Sequence, residues 1–173
     1  MSAPTLTPIT HDDFLTAVAA LAGTLRSDSW QAQLLVGVGR GGLVPAVFLS
    51  HATGLPMVSI DFSTPIPEFN AALIATLAKR TRDGERLVFV EDINDSGRTI
   101  AAIRQQLADA GADAEHVRFA VMVDNAVSDQ RIEYSWRRID RTVTKDWFVF
   151  PWEAVAPKTA ILDDAAEVPE RIA

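Results

Sequence analysis

The sequence predicts an α/β fold in which a parallel sheet is covered by helices on both faces. Two observations carry that prediction. The stretches LLVGVG (34–39), LVFV (87–90) and, apart from Arg118, VRFAVMV (117–123) are apolar runs rather than alternating ones, as strands buried on both faces require. Between them lie segments with helical spacing, so strand and helix alternate along the chain. In such folds ligands gather outside the carboxyl ends of the strands, at a topological switch point.

The elements follow in order. Thr10 is a helix N-cap with Asp13 completing a capping-box variant, and Phe14, Val18, Leu21 and Leu25 then share one face, predicting a helix over 10–25. LLVGVG is a strand, RGG (40–42) a turn, and 43–53 a short helix with Pro45 in its first turn and Gly54 as its stop. MVSIDF (57–62) is a strand, 63–70 a Pro-punctuated loop, 71–80 a helix and 81–86 a turn. After LVFV comes a helix over 98–110, with Ile100, Ile103 and Leu107 inward and Gly111 at its C′ position. VRFAVMV is the next strand, and WFVF (147–150) a short aromatic one. Residues 154–173, Ala-rich and polar with Pro157 and Pro169, read as a loosely packed tail behind a single domain over 1–153.

Composition narrows the function. Of 173 residues, 48% are hydrophobic, enough for a full core, and no cysteine is present, which excludes disulfides and Cys-ligated metals. The three histidines, His11, His51 and His116, are scattered. The net charge of −7 argues against a non-specific nucleic-acid surface. No run is long and apolar enough for a membrane span, and no signal peptide is visible, so a cytoplasmic protein is expected.

Three stretches carry chemistry. LVFVEDINDSGRTI (87–100) delivers Glu91, Asp92 and Asp95 to the mouth of a buried strand, then a small loop that opens a helix. Free N–H groups and the positive dipole end there suit one phosphate, with Ser96 and Thr99 offering hydroxyls and Gly97 allowing close approach. The triphosphate P-loop spacing is absent. An ordinary turn capped by Asp95 or Ser96 explains one polar residue but not three acids. VGVGRGGLVPA (36–46) repeats the logic: Arg40 is a permanent forked cation, and Gly41 and Gly42 expose amides to an oxyanion. Gly37, Gly39 and Gly42 also match a dinucleotide fingerprint, with Asp61 ending the next strand, so a dinucleotide-binding reading stays open. KDWFVFPWE (145–153) groups four aromatic residues, either a hydrophobic cluster closing the sheet or a platform for a planar base.

These residues resemble the type I phosphoribosyltransferases, in particular the bacterial xanthine-guanine, purine-salvage branch. EDINDSGRT matches the family's diphosphoribose-binding motif at every position except Asn94, where the family has an apolar residue. The resemblance runs from the N-terminal helix through RGGLVPA and EDINDSGRT to DWFVFPWE. It implies a Rossmann-like three-layer core with a small C-terminal hood over about 124–153. It also implies transfer of 5-phosphoribose from phosphoribosyl diphosphate to a purine-like base, with release of pyrophosphate. By that resemblance Glu91 and Asp92 bind the ribose hydroxyls and Mg²⁺, with Glu153 nearby. Asp95, Ser96, Gly97, Arg98 and Thr99 hold the 5′-phosphate, and Asp95 handles the base's proton. Arg40 and Gly41 grip the pyrophosphate, and a cis peptide falls at Gly39–Arg40. Trp147 stacks on the base, and Phe148 and Val149 offer it backbone groups. The branch carries a Lys after the strand corresponding to VRFAVMV; here Asn125 takes that place, beside Asp124, which leaves the base open. Residues 63–86, with the Lys79–Arg82 charge run, fall where the family has a closing loop. A homo-oligomer, dimer or tetramer, is implied by the same analogy. A different class, a non-catalytic sensor of phosphoribosyl diphosphate or a nucleotide, fits the same fold.

Overall fold

A computed structural model describes residues 5–61 and 67–166. Its elements run β1 (Leu6–Pro8), α1 (His11–Ser27), β2 (Leu34–Val38), α2 (Gly39–Thr53), β3 (Met57–Ile60), α3 (Pro67–Arg82), β4 (Leu87–Asn94), α4 (Arg98–Asp109), β5 (Val117–Asn125), β6 (Tyr134–Ile139), β7 (Trp147–Val149) and α5 (Lys158–Ala166). Five strands form one sheet in the order β3-β2-β4-β5-β6, and every neighbouring pair in it is parallel. This is the α/β class the apolar runs predict.

Alternation along each strand builds the layers. Leu35, Val88, Val90, Ala120 and Met122 pack with α1 and α2 residues such as Phe14, Leu21 and Leu49. Their neighbours Leu34, Val36, Phe89, Phe119 and Val121 pack on the other face with Leu77, Ile103 and Leu107 of α3 and α4. Both faces are therefore covered, and the runs had no reason to alternate. Thr10 caps α1, and both capping-box contacts with Asp13 are present. Gly54 ends α2 in the left-handed conformation.

Several boundaries differ from expectation. α2 begins at Gly39 rather than at 43, so Pro45 lies inside the helix, not in its first turn. β4 runs on to Asn94, so Glu91 and Asp92 belong to the strand itself. β6, YSWRRI, was not expected. It is the sheet edge, with exposed Ser135 and Arg138 in place of an apolar run. β7 does not join the main sheet; it pairs in parallel with β1, the N-terminal LTP. The tail is not loose throughout, because Lys158–Ala166 is helical and Ala165 is buried.

The expected closing segment is largely α3, with residues 62–66 outside the described ones. Its basic run serves the fold. Lys79 pairs with Asp83 and Arg80 with Glu85, while Arg82 donates to the carbonyls of Ala110 and Gly111 at 2.8 Å each, tying α3 to the end of α4. No helix among the described residues is long and apolar enough to cross a membrane.

Candidate active site

From β2 the chain steps outward to β3, then returns past β2 to β4, so the switch point lies between β2 and β4. The register shows what opens there. β2 pairs with β4 only as far as Gly37 opposite Val90, whereas β4 continues beside β5 to Asn94 opposite Asp124. Glu91 and Asp92 thus stand past the end of β2, facing the start of α2.

A cleft of about 490 Å³ fills this opening. Seven of the residues singled out in the sequence line it: Arg40, Gly41, Glu91, Asp92, Thr99, Trp147 and Glu153. They come from four separate parts of the chain. A smaller hollow of about 200 Å³, lined by residues 91–100, adjoins it and shares Glu91, Asp92 and Thr99. Trp152, Ile161 and Asp164 complete the main wall. Sequence reasoning missed the α5 contribution, because a short Ala- and Asp-rich helix carries no local sign of what it packs against.

The glycines have physical reasons. A Cβ on Gly41 would sit 2.2 Å from Asp92 Oδ2, and one on Gly42 would sit 2.0 Å from the Val90 carbonyl oxygen. The first turn of α2 is pressed against β4, which holds Arg40 at the rim of the acid pair. Among the described residues no peptide bond is cis, so the expectation at Gly39–Arg40 is not met; Gly39 turns the chain with φ of 56° instead. Gly97, with φ of 78°, occupies the N-cap position of α4 and lies against Ser128 and Gln130. Ser96 Oγ accepts from Arg98 Nε at 3.2 Å, folding the loop on itself. Asp61 lines a different cavity with Ser59 and Asn70, away from the Gly39–Gly42 turn.

The acids are strained electrostatically. Burial, then the charge of Glu153, pushes Asp92 up to about 6. Burial, then the charge of Asp92, holds Glu91 well above the usual carboxylate range. Glu153 is also raised, by burial and by Asp164, against the opposing pull of its Phe150 hydrogen bond and of Arg40. Among the described residues no three acids or histidines converge as a ready-made metal cage. Two adjacent carboxylates whose charges are held at a cost in an open cleft still suit Mg²⁺, which takes one or two carboxylates and completes its shell with water and phosphate oxygens.

Other expectations change. Phe148 and Phe150 are buried in the core. Trp152 stacks on Phe150 at 4.9 Å and meets Phe14 edge-on, so of the four aromatics Trp147 and Trp152 alone line the cleft. The Val149 carbonyl accepts the Ile9 N–H at 2.9 Å, so β1 takes the group expected to face a base. Trp147 N–H likewise donates to Thr5. Parallel pairing alternates sides, which directs the Phe148 N–H and carbonyl away from β1.

Asn125, expected to meet a base, is engaged within the protein. It is buried, its Nδ2 donates to the Asp95 carbonyl at 2.8 Å, and its Oδ1 accepts from the backbone N–H of Val127 and Arg141. Asp124 is engaged too, accepting from Asn94 Nδ2 at 2.8 Å and pairing with Arg138 at 3.7 Å. The Asp95 carboxylate, expected at the base, meets Arg141: Nε donates to Oδ1 at 2.9 Å and Nη2 to Oδ2 at 3.2 Å. Nothing in the sequence around Arg141 singled it out.

A family model described as phosphoribosyl transferase domain matches residues 9–157. Among solved structures, the purine phosphoribosyltransferase of Pyrococcus horikoshii is 26% identical, with a TM-score of 0.65 over 88% of this chain and 97% of that one. A hypothetical protein from Neisseria gonorrhoeae with bound ppGpp is 18% identical, with a TM-score of 0.66 over 100% of both chains. The Helicobacter pylori xanthine-guanine-hypoxanthine phosphoribosyltransferase is 20% identical, with a TM-score of 0.64 over 86% of this chain and 94% of that one. The last two are likenesses of fold.

Proposed function

The chain belongs to the phosphoribosyl transferase domain family, and from that premise we propose that it moves 5-phosphoribose from phosphoribosyl diphosphate to a purine-like base, releasing pyrophosphate. One observation carries the reading. A single cleft at the switch point joins the Arg40–Gly41 turn, the Glu91–Asp92 pair, Thr99 of the phosphate loop and the Trp147 face. An anion loop on either side of an acid pair suits a sugar that bears a phosphate at one end and a diphosphate at the other.

In this reading Ser96, Gly97, Arg98 and Thr99 hold the 5′-phosphate with backbone N–H groups and hydroxyls. Arg40 and Gly41 hold the diphosphate, Arg40 as a fork matched to phosphate oxygens. Glu91 and Asp92 hold the ribose hydroxyls and, with Glu153 near, Mg²⁺. That ion would neutralise charge on the leaving diphosphate. Trp147 stacks on the base, and the Phe148 backbone faces its edge. The wall of Trp147, Trp152 and Ile161 keeps water from the sugar carbon as positive charge develops there. Purine salvage in the cytoplasm by a homo-oligomer completes the reading; light scattering on the purified chain tests the last part.

A second reading, a non-catalytic sensor on the same fold, is favoured by the engagement of Asp95 with Arg141. One experiment separates the two. Pyrophosphate release is measured with phosphoribosyl diphosphate, Mg²⁺ and single purine bases, beside calorimetric titration with the diphosphate and with ppGpp. Release with one or a few bases is expected. Binding without release under every base favours the sensor, and neither binding nor release refutes both.

A further inference from the structure

The geometry assigns to Arg141 a positioning role: it fastens the phosphate loop to the aromatic hood through Asp95, which makes Asp95 an anchor rather than the proton acceptor. This rests on the reading of 95–99 as the 5′-phosphate loop. Arg141 lies in the connection between β6 and β7 and is 5% exposed. Its guanidinium reaches in two directions. Toward the loop it forks onto both Asp95 oxygens, at 2.9 and 3.2 Å. Toward the hood, Nη1 donates to the carbonyls of Thr144 at 3.1 Å and Asp146 at 2.6 Å, the residues just before Trp147. It also lies 5.2 Å from the Phe148 ring centroid. Asn125 closes the circuit, donating to the Asp95 carbonyl and accepting the Arg141 backbone N–H.

The consequence is mechanical. Asp95 begins the loop that wraps the sugar phosphate, and Asp146 immediately precedes the cleft-lining Trp147. One planar cation, unable to give up its proton, sets the spacing between them. A carboxylate whose two oxygens both face one guanidinium is turned toward the hood and keeps only its outer lone pairs for any other partner. Coupled groups of this kind lose their function as a unit, so removing either should cost about as much as removing both.

The test uses the full chain and three variants, Arg141→Gln, Asp95→Asn and the double, with thermal melts to confirm folding. Arg141→Lys, which keeps the buried charge and loses the fork, takes the place of Arg141→Gln if that variant does not fold. Two readouts are taken: KM and kcat for pyrophosphate release, and the Kd of ribose 5-phosphate by calorimetry. Each single variant should weaken ribose 5-phosphate and raise the diphosphate KM by about ten- to a hundredfold, the value of a charge-assisted hydrogen bond. Their kcat should fall less, and the double variant should be no worse than the poorer single. The assignment is overturned if Asp95→Asn abolishes kcat at unchanged KM while Arg141→Gln keeps kcat, or if the two losses multiply. Wild type that releases no pyrophosphate with any base but binds ribose 5-phosphate sinks the transferase reading alone. Wild type that fails to bind ribose 5-phosphate overturns the present assignment as well.

Discussion

Asp92→Asn should stabilise this protein above neutral pH, and the gain should vanish in acid. Asp92 stands beside Glu91 in the cleft wall, with Glu153 near enough to repel it. Burial and that repulsion lift it from its ordinary 3.8 to about 6. A carboxyl raised on folding binds its proton more tightly in the folded state, so stability on its account is present below the unfolded value and is lost as pH rises through the folded one. At about 1.4 kcal/mol per pH unit, the loss is at most about 3 kcal/mol, shared in part with Glu91 because the two titrate together. Asparagine is the same shape and keeps an oxygen for the Ile93 N–H, which Asp92 Oδ1 accepts at 2.7 Å. The assay is urea denaturation of both chains in a chelator from about pH 4 to 8, where about 3 kcal/mol moves the midpoint by about 1–3 M. The difference between variant and wild type should grow between about pH 4 and 6 and level off above that. A difference that stays constant with pH would refute the argument that Asp92 is held charged against its surroundings. The same variant should lose the stabilisation that Mg²⁺ with phosphoribosyl diphosphate gives wild type, since a site built to hold a ligand is stable only in part without it.

The remaining predictions are shorter. Gly42→Ala should destabilise by about 1–3 kcal/mol or more, because its Cβ meets the Val90 carbonyl. Gly23→Ala, inside α1 with nothing within 4 Å, should stabilise by up to about 1 kcal/mol; urea midpoints measure both, and equal signs would be a failure. Thr10→Ala removes the cap and both capping-box contacts, and should lower stability by about 1 kcal/mol without changing ligand binding. Trp147→Ala should weaken base binding by about 1–3 kcal/mol while sparing ribose 5-phosphate, and steady-state KM values for the two substrates check the split.

What could be read from the sequence was what is local in it. The runs LLVGVG and LVFV announce buried strands because no polar residue interrupts them. The acid pair and the two glycine turns could be found because each functional group lies within a few positions of the strand end that presents it. β6 escaped because an edge strand has no need of an apolar run, and β1 because three residues carry no period. α5 escaped for another reason: Ile161 and Asp164 line one cavity with Trp152 and Glu153, a relation of the fold and not of the segment.

Arg141 shows the same limit more sharply. In the sequence it sits in IDRTVTKD, where an arginine reads as surface charge, and its partner lies 46 positions away. A signal did exist, spread over three residues. Asn94 departs from the motif's apolar residue, and Asp124 and Asn125 stand where a lysine is expected, which taken singly suggests a change of base. A buried Asn94 without a partner would cost about 1–3 kcal/mol. Asp124 accepts its amide, Ser128 donates to its oxygen at 3.1 Å, and Asn125 next door ties Asp95 to Arg141. Asn94 and Asp124 satisfy each other, and Asn125 beside them binds Asp95 and Arg141, so hydrogen-bonded polar residues line the carboxyl ends of β4 and β5 next to the 95–99 loop. Departures that are satisfied within the protein in this way report on how the loops are braced, and under the proposed transferase reading the choice of base falls to the cleft wall of Trp147, Trp152 and α5.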